Sequence, residues 1–208
     1  MKTRADAWAL LTEFTKTQPL RRHALAVEAA MRHLARASGV TDPVEIEEWG
    51  VVGMLHDFDY EIHPTEPDHP VKGMEILKER GWPETIVRAI GGHSFRSGID
   101  RVTRMEKAIL AADELTGFIG ACALVRPTKK VADVPVESVT KRLKEKSFAR
   151  SVDRAYVMRG AEEWELPLPG LVALLLASQV PLADRIGLGG SSAADLPDSP
   201  VPPEPTAP

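Results

Sequence analysis

Glu48-Trp49-Gly50-Val51-Val52-Gly53-Met54-Leu55-His56-Asp57 is the stretch that decides how this chain is read. Its apolar residues fit a buried helix, and it ends on two side chains that need water or a partner. An imidazole and a carboxylate side by side can reach one transition-metal ion. Four more residues of ligand type occur elsewhere: His23, His69, His93 and Asp113. At least three of these fall in helical patterns with apolar neighbours. Burying an unpaired charge costs several kcal/mol, whereas a whole domain is stable by only about 5–15 kcal/mol. Inward-facing groups of this kind need a shared compensator, and a metal centre supplies one.

The flanking sequence is helical throughout, with no sustained period-two alternation and no Asn-Gly or Asp-Gly hairpin signal. Helices are expected over about 4–16, 19–37, 43–56, 70–80, 83–92, 101–124, 136–147, 149–158 and 168–187. Asp42 before Pro43 is a helix start, and Gly81 a helix stop. Leu20, His23, Val27, Met31 and Leu34 recur at three- and four-residue steps, which puts His23 on the core-facing stripe of its helix. Asp113 has Ile109, Thr116 and Gly120 at the same steps, so its carboxylate points at or near the core. Gly50 and Gly53 each cost a helix about 1 kcal/mol relative to alanine. Two of them suggest the close approach of another backbone, which would bring His56 near its partners.

Composition narrows the class. The 208 residues are enough for one domain with a sizeable core. The formal net charge of −4 owes three of its negative charges to Asp195, Asp198 and Glu204, so the rest is nearly neutral. Neither a nucleic-acid polymer nor a membrane surface is an expected partner. The basic residues of 136–154 lie on an amphipathic helix and read as a solvated face. Cys122, the single cysteine, excludes an internal disulfide framework and reads as a small buried side chain. No apolar leader is visible, the longest apolar run is far short of a membrane span, and a soluble cytoplasmic protein is the expectation. Residues 189–208 pass from Gly-Gly-Ser-Ser into a run of prolines. Such a segment is expected to be disordered or polyproline-like, and a passive tail rather than a ligand for a partner domain.

Taken in order, five segments resemble the HD-domain superfamily of metal-dependent phosphohydrolases: Arg22-His23-Ala24, Met54 to Glu61, His69 to Leu77, Gly92-His93-Ser94 and Ala111 to Gly117. The resemblance covers about Thr15 to Arg126 and runs more loosely to about Leu188. It implies an all-α, HD-domain-like helical bundle over 1–188 with a metal centre between helices and a C-terminal helical extension. It implies that His23, His56, Asp57 and Asp113 hold a first divalent ion. Members with two further histidines look binuclear, so His69 and His93 imply a second ion, bridged to the first by Asp57. Manganese, iron, cobalt, nickel and zinc suit these donors, and magnesium is compatible.

On this resemblance the expected activity is hydrolysis of a small phosphorylated metabolite, a nucleotide or another phosphomonoester, by metal-activated water. Asp57 would set the metal spacing. Asp59 or Tyr60 would position water or relay a proton. Arg22, Lys72 and Arg96, which neighbour the ligands in sequence, are candidate phosphate contacts. Members that act on cyclic dinucleotides carry a lysine where this chain has Tyr60, and a Gly-Tyr-Pro signature that it lacks; both departures count against that substrate. Two other readings share the ligand set. One is a mixed-valence di-iron oxygenase. The other is a non-catalytic binding or regulatory module in which the metal is structural. A homodimer is compatible with all three.

Overall fold

The computed structural model describes residues 2–65 and 68–203. Among them there is no strand, only an isolated bridge between Lys130 and Gly189. The all-α expectation holds. Helices run over Arg4–Phe14 (α1), Gln18–Ala37 (α2), Pro43–Leu55 (α3), Asp68–Glu79 (α4) and Glu84–Gly91 (α5). They continue over Arg104–Leu124 (α6), Val136–Leu143 (α7), Arg154–Glu163 (α8) and Leu168–Gln179 (α9). No single helix is long and apolar enough to cross a membrane.

Local chemistry sets the boundaries. Asp42 caps α3 by accepting from the Val44 amide, and Pro43 occupies the first turn where its missing N–H costs nothing. Thr103 and Glu106 close a capping box on α6, fixing the start of the helix that carries Asp113. Three expected helices shift most. The helix expected over 149–158 begins instead at Arg154, because Ala149 takes a left-handed φ of 42° and Asp153 caps the Ala155 amide. The one expected over 136–147 ends at Leu143. The one expected over 168–187 stops at Gln179, where Pro181 turns the chain into a short 3-10 segment, Val180–Leu182.

Helix α2 is central, packed on α3, α6 and α9. A Cβ placed on Gly53 would lie 2.6 Å from the Val27 carbonyl oxygen, so α3 meets the backbone of α2 there as its glycine implied. Gly50 makes room for something else. Its nearest neighbour is the Arg32 guanidinium, a flexible side chain. The core around this crossing includes Trp8, Leu11, Met31, Leu34, Met54 and Phe58, all essentially without solvent exposure.

The proline-rich segment departs from expectation. Residues 189–203 are not a free tail but lie along α1 and α2; 204–208 are outside the described residues. Leu196 is buried, and its backbone exchanges two hydrogen bonds with the Gln18 amide, at 2.8 and 3.2 Å. Trp8 donates to the Pro197 carbonyl, Arg21 pairs with Asp198 at 2.7 Å, and Arg4 donates to the Val201 carbonyl. Proline removes backbone donors but leaves carbonyls, and side chains of the first two helices satisfy several of them.

Candidate metal centre

Five of the six ligand-type residues, His23, Asp57, His69, His93 and Asp113, line one pocket, and His56 is fully buried against them. His23 comes from the core stripe of α2, and Asp113 from the facing side of α6. His56 caps the C-terminus of α3, with Asp57 next to it. His69 opens α4 with an extended backbone (φ −85°, ψ 129°), and His93 follows the end of α5. Donor atoms of His23, His56, Asp57 and Asp113 all lie within 4.8 Å of one another, and so do those of Asp57, His69 and His93. Asp57 belongs to both groups and gives each one oxygen. Its Oδ2 is 3.4 Å from His56 Nε2, while its Oδ1 is 3.1 Å from His69 Nε2 and 3.6 Å from His93 Nε2. Asp113 Oδ1 is 3.1 Å from His23 Nε2 and 3.2 Å from His56 Nε2.

The far side of three imidazoles shows what the near side is for. Nδ1 of His56 bonds the Gly53 carbonyl and Nδ1 of His93 the Ile90 carbonyl, each three residues back at a helix C-terminus. Nδ1 of His69 bonds Asp59 Oδ1 at 2.9 Å. Carbonyls and carboxylates only accept, so Nδ1 carries the proton and, in the neutral ring, Nε2 presents a lone pair. Those lone pairs point at carboxylate oxygens and, across 3.0 Å between His69 and His93, at each other. Crowded lone pairs need cations between them. Metal-ligating histidines are held by just such outer acceptors, and the donor set, imidazole with carboxylate, suits a divalent transition ion.

Without metal, protons take up part of that task. Burial would push the His56 imidazole down, but Asp57 and Asp113 outweigh it and hold it well above the usual value. Burial also opposes protonation of His69, yet its bonds to Asp57 and Asp59 carry it to about 9. His93 is pushed down by burial, which the neighbouring Asp57 does not offset. Burial would raise Asp57 and Asp113, but His56 beside them holds both below the usual carboxylate range. Metal must therefore displace protons. We expect binding at pH 7.5 to release about two protons per chain, from His56 and His69, read by calorimetry in buffers of different ionisation enthalpy.

The sign for stability follows from the same shift. His69 rises from the usual 6.5 to about 9 on folding, so its contribution is complete below about 6.5 and disappears as pH climbs through 9. The metal-free protein is expected to lose melting temperature over that window. A metal-free melting temperature that rises instead would contradict the assignment.

Other predicted site residues are placed differently. Tyr60 lines the pocket, its ring edge-on to His69 with centroids 5.4 Å apart. Asp59 does not line it: the side chain is fully buried behind His69 and reaches the pocket only through that imidazole. Arg22 turns away to the carbonyls of Ala193 and Ala194. Lys72 pairs with Glu75 on the surface, and neither it nor Arg96 lines the pocket. Arg22 is next to His23 on α2 and so faces another way. Lys72 and Arg96 lie three residues from their ligands, but His69 has an extended backbone and Arg96 lies in the turn after α5, so no helical spacing carries them to the pocket.

The sequence reading missed Glu114, Asp153 and Tyr156, which line the wall of this cavity of about 380 Å³. Burial, and then the charge of Asp113, push the Glu114 carboxyl up to about 8. Among the described residues no lysine or arginine lines the pocket.

A family model for the HD domain matches residues 20–118, the span that contains all six ligand-type residues. No curated protein and no solved structure matches the chain.

Proposed function

Residues 20–118 being an HD domain, the chain belongs to the HD-domain superfamily, and from that premise we propose a metal-dependent phosphohydrolase acting on a small phosphomonoester. The observation that carries this reading is the sharing of Asp57, one oxygen to each of two donor groups, at the base of an open pocket. The donor set fits two divalent ions, the first held by His23, His56, Asp57 and Asp113, the second by Asp57, His69 and His93. When bound, such ions supply an acidified water, its pKa lowered from about 15.7 toward about 7, and Lewis-acid stabilisation of phosphoryl charge.

The protein's part is placement. Carbonyls of Gly53 and Ile90 lock two imidazoles with Nε2 inward. Tyr60, Tyr156 and Glu114 form walls that touch the organic part of a substrate. A polyphosphate chain would need cationic side chains along its length. Among the described residues the pocket lining supplies none, so the reading narrows to a substrate with a single phosphoryl group. The test is metal analysis of the purified chain, then a phosphate-release screen over phosphomonoesters with manganese, cobalt, nickel or magnesium added. About two ions per chain and metal-dependent release are expected. Full metal content with no release from any monoester would reject the hydrolase.

That no lysine or arginine among the described residues lines the pocket also favours a second reading, oxygenase chemistry at a mixed-valence di-iron pair, the activity of some HD-fold proteins that this six-ligand set resembles. Iron-dependent oxygen uptake by anaerobically prepared protein, without phosphate release, would select it.

A further inference from the structure

We propose that Asp59 is a positioning residue that builds the His69–His93 half of the centre, acting on the metal through His69; the inference rests on the two-ion reading above. Asp59 has no solvent exposure. Its Oδ1 accepts from His69 Nδ1 at 2.9 Å. Its Oδ2 is buried with no hydrogen-bond partner among the described residues. Leaving a buried carboxylate oxygen unpaired costs stability, and helix α4 bends its own composition to allow it. A Cβ at Gly73 would lie 2.7 Å from Asp59 Cγ and 2.8 Å from both oxygens. Glycine on that turn is the space the carboxylate occupies.

Chain direction explains why a side chain is needed here. His56 and His93 sit at helix C-termini, where unpaired carbonyls are at hand to take an Nδ1 proton. His69 sits at a helix start, where the backbone offers N–H groups and no spare carbonyl. Asp59 provides the missing acceptor, fixes the tautomer, and keeps the Nε2 lone pair aimed at Asp57. A carboxylate also makes the imidazole a stronger donor than a carbonyl would. That matters on this side of the centre, which shares Asp57 but has no carboxylate of its own, whereas the other side has Asp113.

The test is calorimetric titration of the full-length metal-free chain with cobalt, alongside Asp59→Asn and Gly73→Ala, with metal content measured after desalting. Asp59→Asn keeps the shape and removes the charge. Gly73→Ala leaves Asp59 in place but pushes on it, and alanine favours a helix by about 1 kcal/mol over glycine, so lost helicity would not explain a defect. In both variants the first ion should bind as in wild type and the second about 10- to 100-fold more weakly. Two ions bound with wild-type affinities in both variants would overturn the role of Asp59 while leaving the hydrolase intact. A wild-type chain that never takes a second ion would overturn it together with the two-ion reading. A wild-type chain that takes two ions, loses one in the variants and releases no phosphate would reject the hydrolase alone.

Discussion

Asp57→Ala is expected to empty both halves of the centre and abolish turnover. Among the described residues no other ligand has this reach, because only Asp57 contributes to both donor groups. Removing it leaves three donors on one side and two imidazoles on the other. It also removes the negative charge that helps hold protons, or metal, between His56, His69 and His93. Metal catalysis supplies several kcal/mol of transition-state stabilisation, and each 1.36 kcal/mol is tenfold, so a fall in kcat of at least about a thousandfold is expected. Metal analysis and phosphate release on the same preparation check it. Retention of wild-type metal content and turnover would remove the basis for the assignment. By contrast, Asp113→Ala touches one half only and should leave the His69–His93 side able to take up metal.

Gly53→Ala is expected to be the most damaging single methyl near the site. The added carbon would sit 2.6 Å from the Val27 oxygen, 2.8 Å from its carbonyl carbon and 2.9 Å from Glu28 Cα. All three are backbone atoms of α2 and cannot swing aside. Overpacking of this kind costs about 1–3 kcal/mol and occasionally more, against a helix-propensity gain of about 1 kcal/mol. With three backbone contacts below 3 Å the cost should lie at the upper end, and we expect a net loss of about 1–2 kcal/mol, or roughly 2–8 °C in melting temperature for a chain of this size. Metal affinity should fall with it, since α2 carries His23 and α3 delivers His56. Gly50→Ala is the control: it meets only the movable end of Arg32 and should cost clearly less. Equal melting temperatures for the two variants would mean that the α2–α3 contact yields more readily than its geometry implies.

The contrast between these two glycines marks what was legible in the sequence. Periodicity placed His23 and Asp113 on inward stripes, and the family order gathered the ligands, because both signals are one-dimensional. That Gly53 would face a backbone and Gly50 a guanidinium is a matter of which helix crosses where, and no local pattern encodes it. Tyr156 escaped for a related reason. Its helix starts at Arg154 because Ala149 adopts a left-handed turn, a conformation that alanine's propensity gives no hint of. Glu114 was hidden by its neighbour, since a carboxylate next to a ligand looks like solvent-facing charge until the wall opposite is known. Asp59 was legible as an acid near the pair, but its burial and its bond to His69 depend on where α4 lands.

Composition misjudged the proline-rich segment for a physical reason that reaches beyond this fold. Low hydrophobicity predicts that a segment cannot build a core of its own. It does not say whether donors elsewhere are waiting for its carbonyls. Here Arg4, Trp8, Gln18 and Arg21 reach out from the beginning of the chain to residues 196–201 near its end. Anyone shortening this protein for crystallisation would naturally cut after Leu188. Such a cut would strand buried donors on the opening helices, so the trimmed version should express as the more fragile of the two.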